Sequence, residues 1–121
     1  MSGDGLLVLV AEDSEDLREA YVDWFVYKGV RAEQASSGPE TLLKALEFRP
    51  SVVVMDLSLP GLDGFEVARR LREQFPDRSM LLVALTGYGQ ERDRLRAREA
   101  GFDHHLLKPV RLELLEQLLV S

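Results

Sequence analysis

The segment Val52-Val53-Val54-Met55-Asp56 joins an unbroken apolar run directly to an acidic residue. Two further apolar runs lie on either side of it along the chain, at Leu6–Ala11 and Met80–Leu85. Short unbroken runs rich in Val and Leu are typical of strands that are covered on both faces, as in a parallel sheet. Two weaker candidate strands, Val30–Ala35 and His104–Leu107, mix polar with apolar residues, so we expect them at the edges of the sheet.

Helical patterns separate these candidate strands. The segment Ser37-Gly38-Pro39-Glu40 is typical of a helix start, with a capping box and a proline in the first turn. Gly29 and Gly101 are stop signals for two other helices. The five predicted helices extend over Leu17–Lys28, Ser37–Phe48, Asp63–Phe75, Gln90–Ala100 and Leu112–Leu119. This alternation of strand and helix predicts an open α/β sheet with right-handed crossovers.

The composition narrows the class of protein. The chain has 121 residues, so we expect one domain over residues 1–121, with a core of about 6–119 and no output domain. With 15 Lys and Arg against 21 Asp and Glu the net charge is −6, which argues against nucleic-acid binding. The chain contains no cysteine, and therefore no disulfide or thiolate metal site. No apolar run approaches the roughly 18 residues of a membrane span, and no signal peptide is recognisable, so we expect a cytoplasmic protein.

Reactive side chains collect at the ends of the predicted strands. Glu12 and Asp13 follow the first strand, Asp56 the third, Thr86 the fourth, and Lys108 the fifth. Ligands of open α/β sheets bind outside the carboxyl ends of the strands. A polar strand end is commonplace for any one of these residues, but four such ends together favour a site.

Three clustered carboxylates repel one another unless a cation lies among them. Because no Cys or suitable His is near, an all-oxygen site for Mg²⁺ or Mn²⁺ is expected. Lys108 would balance the remaining negative charge, and the hydroxyl of Thr86 could donate to an anionic ligand. Together these groups favour phosphoryl chemistry, in which an aspartate can act as the nucleophile.

Four ordered motifs carry a family resemblance. They are Val10-Ala11-Glu12-Asp13-Ser14, the segment from Met55 to Gly64, Ala84-Leu85-Thr86-Gly87, and Leu107-Lys108-Pro109. Through them the chain resembles the receiver domain of two-component response regulators, both the chemotaxis-regulator type and receivers of hybrid histidine kinases. The resemblance implies a flavodoxin-like (βα)5 three-layer sandwich, with a five-stranded parallel sheet of order 2-1-3-4-5.

The same resemblance implies a role for each site residue. Asp56 would be the phosphoacceptor, and Mg²⁺ (or Mn²⁺) would be held by Glu12, Asp13, Asp56 and the backbone carbonyl of Ser58. The remaining roles are phosphoryl binding and switching by Thr86 and Lys108, tuning of the phosphate lifetime by Ser58 and Tyr88, and a cis peptide before Pro109. His105 occupies a position where receivers usually carry Tyr or Phe, which leaves the usual aromatic switch in question.

The function implied is a phosphorelay switch. A histidine kinase, or a histidine phosphotransfer protein, would exchange phosphate with Asp56, and a partner protein would read the face of the fourth helix and fifth strand. Such a domain acts only on itself and is not an enzyme with an external substrate. A phosphorylation-independent interaction module is the alternative. A small phosphatase ranks last, because Ser58 stands where a second acid would be needed. The chain could be a standalone regulator or part of a hybrid kinase.

Overall fold

The computed structural model describes residues 6–77, 79–87 and 93–120. Five strands and five helices alternate along the chain, as the apolar pattern predicts. The elements are β1 (Leu7–Ala11), α1 (Glu15–Tyr27), β2 (Arg31–Ala35), α2 (Gly38–Phe48), β3 (Val52–Asp56), α3 (Gly64–Gln74), β4 (Leu81–Thr86), α4 (Asp93–Ala100), β5 (His104–Leu107) and α5 (Leu112–Val120). The predicted first turn of the fourth helix, residues 90–92, lies outside the described residues.

All five strands form one parallel sheet in the order β2-β1-β3-β4-β5. The predicted strand order is confirmed, and so are the edges. Every residue of the central strands β1 and β3 is buried, whereas β2 and β5 are largely half-buried or exposed. Because β1 and β3 lie at the centre, the loops that follow them meet at one edge of the sheet.

The core consists of two apolar layers, one on each face of the sheet. Alternate strand residues such as Leu9 and Met55 pack towards α2, α3 and α4. The residues between them, such as Val10 and Val54, pack with Phe25 of α1 and with α5. Both faces are therefore covered, which explains why the strands read as unbroken apolar runs.

Side-chain caps begin three of the helices. Ser14, Ser37 and Asp63 accept hydrogen bonds from backbone N–H groups in the first turns of α1, α2 and α3. Ser14 also explains why α1 begins at Glu15, two residues before the predicted start. The carboxylate of Glu40 reaches back to the N–H of Ser36 rather than to that of the cap itself. In the described ranges, no helix combines the length and the apolar composition that crossing a bilayer requires.

Candidate functional site

The carboxyl ends of β1, β3 and β5 bring three charged side chains into contact. The ammonium Nζ of Lys108 lies 2.7 Å from Oε1 of Glu12 and 2.7 Å from Oδ2 of Asp56. These partners are 96 and 52 residues away along the chain. The parallel sheet therefore assembles the ion-pair network from three separate sequence motifs.

The loop between β1 and α1 supplies two of the acidic groups, in very different surroundings. Glu12 is 1% exposed, whereas the adjacent Asp13 is exposed to solvent. Oε2 of Glu12 accepts a hydrogen bond of 3.0 Å from the N–H of Ser14, so both of its oxygens are engaged. Asp13 thus forms the open side of the cluster.

The electrostatics of the cluster follow from this burial. Burial raises the pKa of Glu12, and the neighbouring charge of Asp56 adds to the rise, although the contacts with Lys108 and Ser14 oppose it. Burial alone would lower the pKa of Lys108, but its hydrogen bonds with the two carboxylates outweigh that effect, so its pKa is raised. Three carboxylates cluster near one ammonium, which contacts two of them, so the site is left with an excess of negative charge.

Asp56 is held at the end of β3 by contacts to both of its oxygens. Oδ2 faces Lys108, and Oδ1 accepts a hydrogen bond of 2.8 Å from the N–H of Ser58. The residue is 6% exposed, while Ser58 lies on the exposed loop that follows. A pre-positioned carboxylate at the mouth of this loop is suited to accept an electrophile from solvent.

Thr86 ends β4 beside this cluster, in the strand paired with β3. It is fully buried, and its hydroxyl Oγ1 has no hydrogen-bond partner within the described part of the chain. A buried hydroxyl without a partner costs about 1 to 3 kcal/mol, so this group is available to a ligand or to a rearrangement. The carbonyl of Thr86 accepts a hydrogen bond of 2.8 Å from the N–H of Lys108, which links the two strand ends.

The remaining predicted residues are His105, Pro109 and Tyr88. His105 is half-buried on β5 and lines a pocket of about 240 Å³ between α4 and β5, together with Arg94, Arg98 and His104. The peptide between Lys108 and Pro109 is cis. Tyr88 lies outside the described residues.

The acidic cluster fits a divalent cation. Glu12, Asp13 and Asp56 each offer a carboxylate oxygen, and these oxygens all lie within 4.8 Å of one another. Hard cations such as Mg²⁺ prefer carboxylate and carbonyl oxygens. The excess negative charge and the exposed Asp13 leave the solvent side of the cluster suited to such an ion.

Sequence reasoning missed one residue that contacts the site. Arg18 of α1 donates from Nη1 to the backbone carbonyl of Glu12 at 2.9 Å, and from Nε to Oε1 of Gln34 in β2 at 2.9 Å. No sequence signal points to this contact, because the acceptor is a backbone carbonyl and every residue has one.

Comparison with known proteins agrees with this geometry. The profile described as "Response regulator receiver domain" matches residues 8–120. The chain belongs to the response regulator receiver family. The receiver resemblance of the four motifs is thereby confirmed.

Relatives and solved structures of receivers share the sequence and the fold. The transcriptional regulatory protein AfsQ1 of Streptomyces coelicolor is 35% identical over 111 residues, which are 90% of this chain and 47% of AfsQ1. This receiver chain therefore spans less than half the length of that relative. The chemotaxis response regulator CheY4 of Vibrio cholerae superposes with a TM-score of 0.85 at 28% identity, over 93% of this chain and 95% of that one.

A third similar structure is a complex. It is the co-crystal structure of the Saccharomyces cerevisiae histidine phosphotransfer signalling protein Ypd1 and the receiver domain of its downstream response regulator Ssk1. The matched chain has a TM-score of 0.83 and 27% identity, over 95% of this receiver and 86% of that chain. These similarities confirm the flavodoxin-like (βα)5 architecture.

Proposed function

We propose that this receiver is a phosphoacceptor switch of a two-component or phosphorelay system, with Asp56 as the residue that carries the phosphoryl group. One observation carries the proposal: Lys108 joins Glu12 and Asp56 at the carboxyl edge of the sheet, beside the exposed carboxylate of Asp13. A purely structural ion pair needs one carboxylate for one ammonium. This cluster has three carboxylates for one ammonium, so it has room for a further cation.

The chemistry is a transfer between a phosphohistidine and Asp56. A carboxylate oxygen of Asp56 forms a bond to phosphorus as the phosphorus–nitrogen bond of the donor breaks. The imidazole leaves with the electron pair and takes up a proton. The product is an acyl phosphate on Asp56, and its hydrolysis by water restores the carboxylate.

The other side chains of the cluster stabilise this transfer. Glu12, Asp13, Asp56 and the backbone carbonyl of Ser58 would hold Mg²⁺, or Mn²⁺ in its place. When bound, the ion neutralises charge on the carboxylates and on the phosphoryl oxygens. Lys108 is already within hydrogen-bond distance of Asp56 and pairs with a phosphoryl oxygen once the group arrives.

Thr86 converts the chemical event into a structural one. Its buried hydroxyl, for which the described residues offer no partner, gains an acceptor when a phosphoryl oxygen arrives nearby. The gain biases an equilibrium between two arrangements of β4, α4 and β5. A partner protein then reads the face formed by α4 and β5, and His105 takes the place of the usual aromatic residue in this coupling.

Two loop residues would set the lifetime of the acyl phosphate. Ser58 lies two residues after Asp56 and Tyr88 two residues after Thr86, so their side chains are candidates to control the approach of water. Only Ser58 belongs to the described residues, where it is exposed.

The partners follow from the chemistry. The phosphodonor is a histidine kinase, and the similarity to a receiver solved with a histidine phosphotransfer protein supports a partner of that second class as well. The domain acts on its own aspartate rather than on an external substrate. We place it in the cytoplasm, where kinase and phosphodonor are found, and assign it no nucleic-acid or membrane partner.

The test is a two-step titration of the wild type and of Asp56→Asn. Mg²⁺ is added first, and then beryllofluoride, which mimics an aspartyl phosphate. Backbone amide shifts and the fluorescence of Trp24, the single tryptophan, report the response. Asp23→Asn is the matched control, because it removes the same charge from an exposed site on α1.

We expect saturable Mg²⁺ binding and a further change with beryllofluoride in the wild type and in Asp23→Asn. Asp56→Asn should lose the response to beryllofluoride and fail to form an acyl phosphate with acetyl phosphate, while its amide spectrum remains that of a folded protein. A folded wild type that responds to neither ligand would contradict the proposal. The phosphorylation-independent interaction module would then be the better interpretation.

A further inference from the structure

The guanidinium of Arg18 ties three elements together around the loop between β1 and α1. It extends from α1, donates to the backbone carbonyl of Glu12 at 2.9 Å, and donates to the side chain of Gln34 on β2 at 2.9 Å. The N–H of Glu12 donates to the carbonyl of Ala35 at 3.0 Å. The peptide groups on both sides of Glu12 are therefore anchored to β2, one directly and one through Arg18.

This anchoring matters most for the residue that follows. Within residues 6–77, 79–87 and 93–120, no hydrogen bond or ion pair holds the carboxylate of Asp13. Its distance from the oxygens of Glu12 and Asp56 therefore depends on the backbone position of Asp13 and on the rotamer of its own side chain. The carbonyl that Arg18 binds belongs to the peptide group that joins Glu12 to Asp13. The contact therefore restrains the orientation of the backbone to which the Asp13 side chain is attached.

We propose that Arg18 is a positioning residue of the magnesium site, which acts by holding the Glu12–Asp13 peptide so that the Asp13 carboxylate faces the other two. This inference rests on the proposed function, because it assumes that the acidic cluster holds Mg²⁺. Groups that orient metal ligands from outside commonly change metal affinity about 10- to 100-fold when they are removed.

The direction in which Mg²⁺ affinity changes when Arg18 is replaced distinguishes a positioning role from an effect of its charge. Arg18 carries a positive charge close to a site for a cation, so electrostatics alone predicts that its removal tightens Mg²⁺ binding. Loss of positioning predicts weaker binding. Lysine at this position keeps the charge but offers a single compact ammonium, which cannot replace a guanidinium that donates to two acceptors on different elements.

The experiment compares Mg²⁺ titrations of the wild type, Arg18→Ala, Arg18→Lys and Lys44→Ala by amide NMR. Lys44 is the matched control, because it lines the same surface pocket as Arg18 and Gln34 and its removal deletes one positive charge. Amide hydrogen exchange is measured in the metal-free proteins as well. It reports on the loop without any ion, and denaturant unfolding shows whether each variant is folded.

We expect the Mg²⁺ dissociation constant to rise about tenfold in Arg18→Ala and Arg18→Lys, and to stay within about twofold in Lys44→Ala. The amides of Asp13 and Ser14 should exchange faster in both Arg18 variants before metal is added. Unchanged or tighter Mg²⁺ binding in folded Arg18→Ala and Arg18→Lys, beside a wild type that binds Mg²⁺, would overturn the role of Arg18 alone. A wild type that binds no Mg²⁺ would overturn the proposed function, and this inference with it.

Discussion

Two charge networks in this protein each join a mostly buried cation to carboxylates, but their partners differ. In the first, Lys108 contacts Glu12 and Asp56, with side-chain exposures of 21%, 1% and 8%. In the second, Arg72 of α3 contacts Asp103 before β5, with exposures of 11% and 29%. The exposure of the cation alone does not distinguish a site from a structural contact here.

The partners of the two cations do distinguish them. Arg72 also donates to the carbonyls of Gly101 and Met80, at 2.9 and 2.7 Å, and Asp103 accepts the N–H of Leu82 at 2.8 Å. Arg72 and Asp103 are thus each held by backbone groups as well as by one another. Around Lys108 the carboxylates outnumber the cation, and one of them faces solvent. Unbalanced charge at a strand edge is therefore the better sign of a ligand site.

The largest effect on stability should come from Arg72→Met. The substitution keeps the length of the side chain but removes the Arg72 donor from two carbonyls and one of the donors to the Asp103 carboxylate. We expect the free energy of unfolding to fall by about 3 kcal/mol, because unpaired groups in a half-buried network keep most of their desolvation cost. Urea unfolding measures it, and Mg²⁺ affinity should remain unchanged.

Arg69→Met is the control for this comparison. Arg69 lies on the same helix and pairs with Glu66 on the exposed face, with 52% of its side chain exposed. Its loss should cost less than about 0.5 kcal/mol. Equal losses in the two variants would show that the Arg72 network contributes no more than a surface ion pair.

Asp13→Asn should stabilise the protein, in contrast to Arg72→Met. Removing one of three clustered carboxylates reduces repulsion, so we expect the free energy of unfolding to rise by about 0.5 to 1 kcal/mol at low salt. Mg²⁺ binding should weaken at least about tenfold, because the solvent-side ligand is lost. Thermal unfolding and an amide-shift titration give the two values.

Asp16→Asn is the control for Asp13→Asn, because it removes the same charge three residues further along the chain. Asp16 is exposed in the first turn of α1, where the helix dipole favours a negative charge. Its removal should therefore lower the free energy of unfolding by about 0.3 kcal/mol. If Asp13→Asn is also destabilising, the cluster does not store the electrostatic strain that we infer.

Glu40 provides a comparison with a half-buried carboxylate at a helix start that has fixed hydrogen-bond partners. Its pKa lies below the ordinary value of 4.5, mainly because its carboxylate accepts the backbone N–H of Ser36. A lowered folded-state pKa gives stability that is present above pH 4.5 and is lost as the pH falls through the folded-state value. Glu40→Gln should therefore cost about 0.5 kcal/mol at pH 7 and nothing at low pH.

Urea unfolding of Glu40→Gln across this pH range tests the sign. Glu47→Gln is the control, since Glu47 is exposed near the other end of α2. A difference from the wild type that persists below the folded-state pKa would assign the effect to helix propensity instead of charge.

The smallest effect concerns how the Lys108 site communicates with α4. His105 pairs with Ala84 in the β4–β5 register, so strand alternation places it on the same face as Thr86. His105→Tyr should enlarge the amide-shift changes that beryllofluoride causes in α4, because a larger ring fills more of the space beside Thr86. His104→Tyr is the matched comparison, because strand alternation turns His104 away from Thr86 although it lines the same pocket, so it should enlarge them less. Equal changes in wild type and His105→Tyr would contradict this coupling.

The fold followed from the sequence because its signals are local. The runs around Val8, Val53 and Val83 predict buried parallel strands, and the polar residues of β2 and β5 predict edges. Helix ends depend on capping side chains as well as on apolar periodicity. The start of α1 at Glu15 lies before the first apolar residue of the helix, Leu17, because the side chain of Ser14 caps it.

The candidate site could be located from the sequence, but its internal organisation could not. Strand-end positions and the receiver motifs indicate that Glu12, Asp13, Asp56, Thr86 and Lys108 share one edge of a parallel sheet. Only the folded chain decides that Glu12 is buried and Asp13 exposed, and that Arg18 and Arg72 act on backbone carbonyls. The physical reason is that apolar periodicity and motifs belong to particular side chains, whereas register, helix packing and carbonyl acceptors depend on where distant parts of the backbone meet.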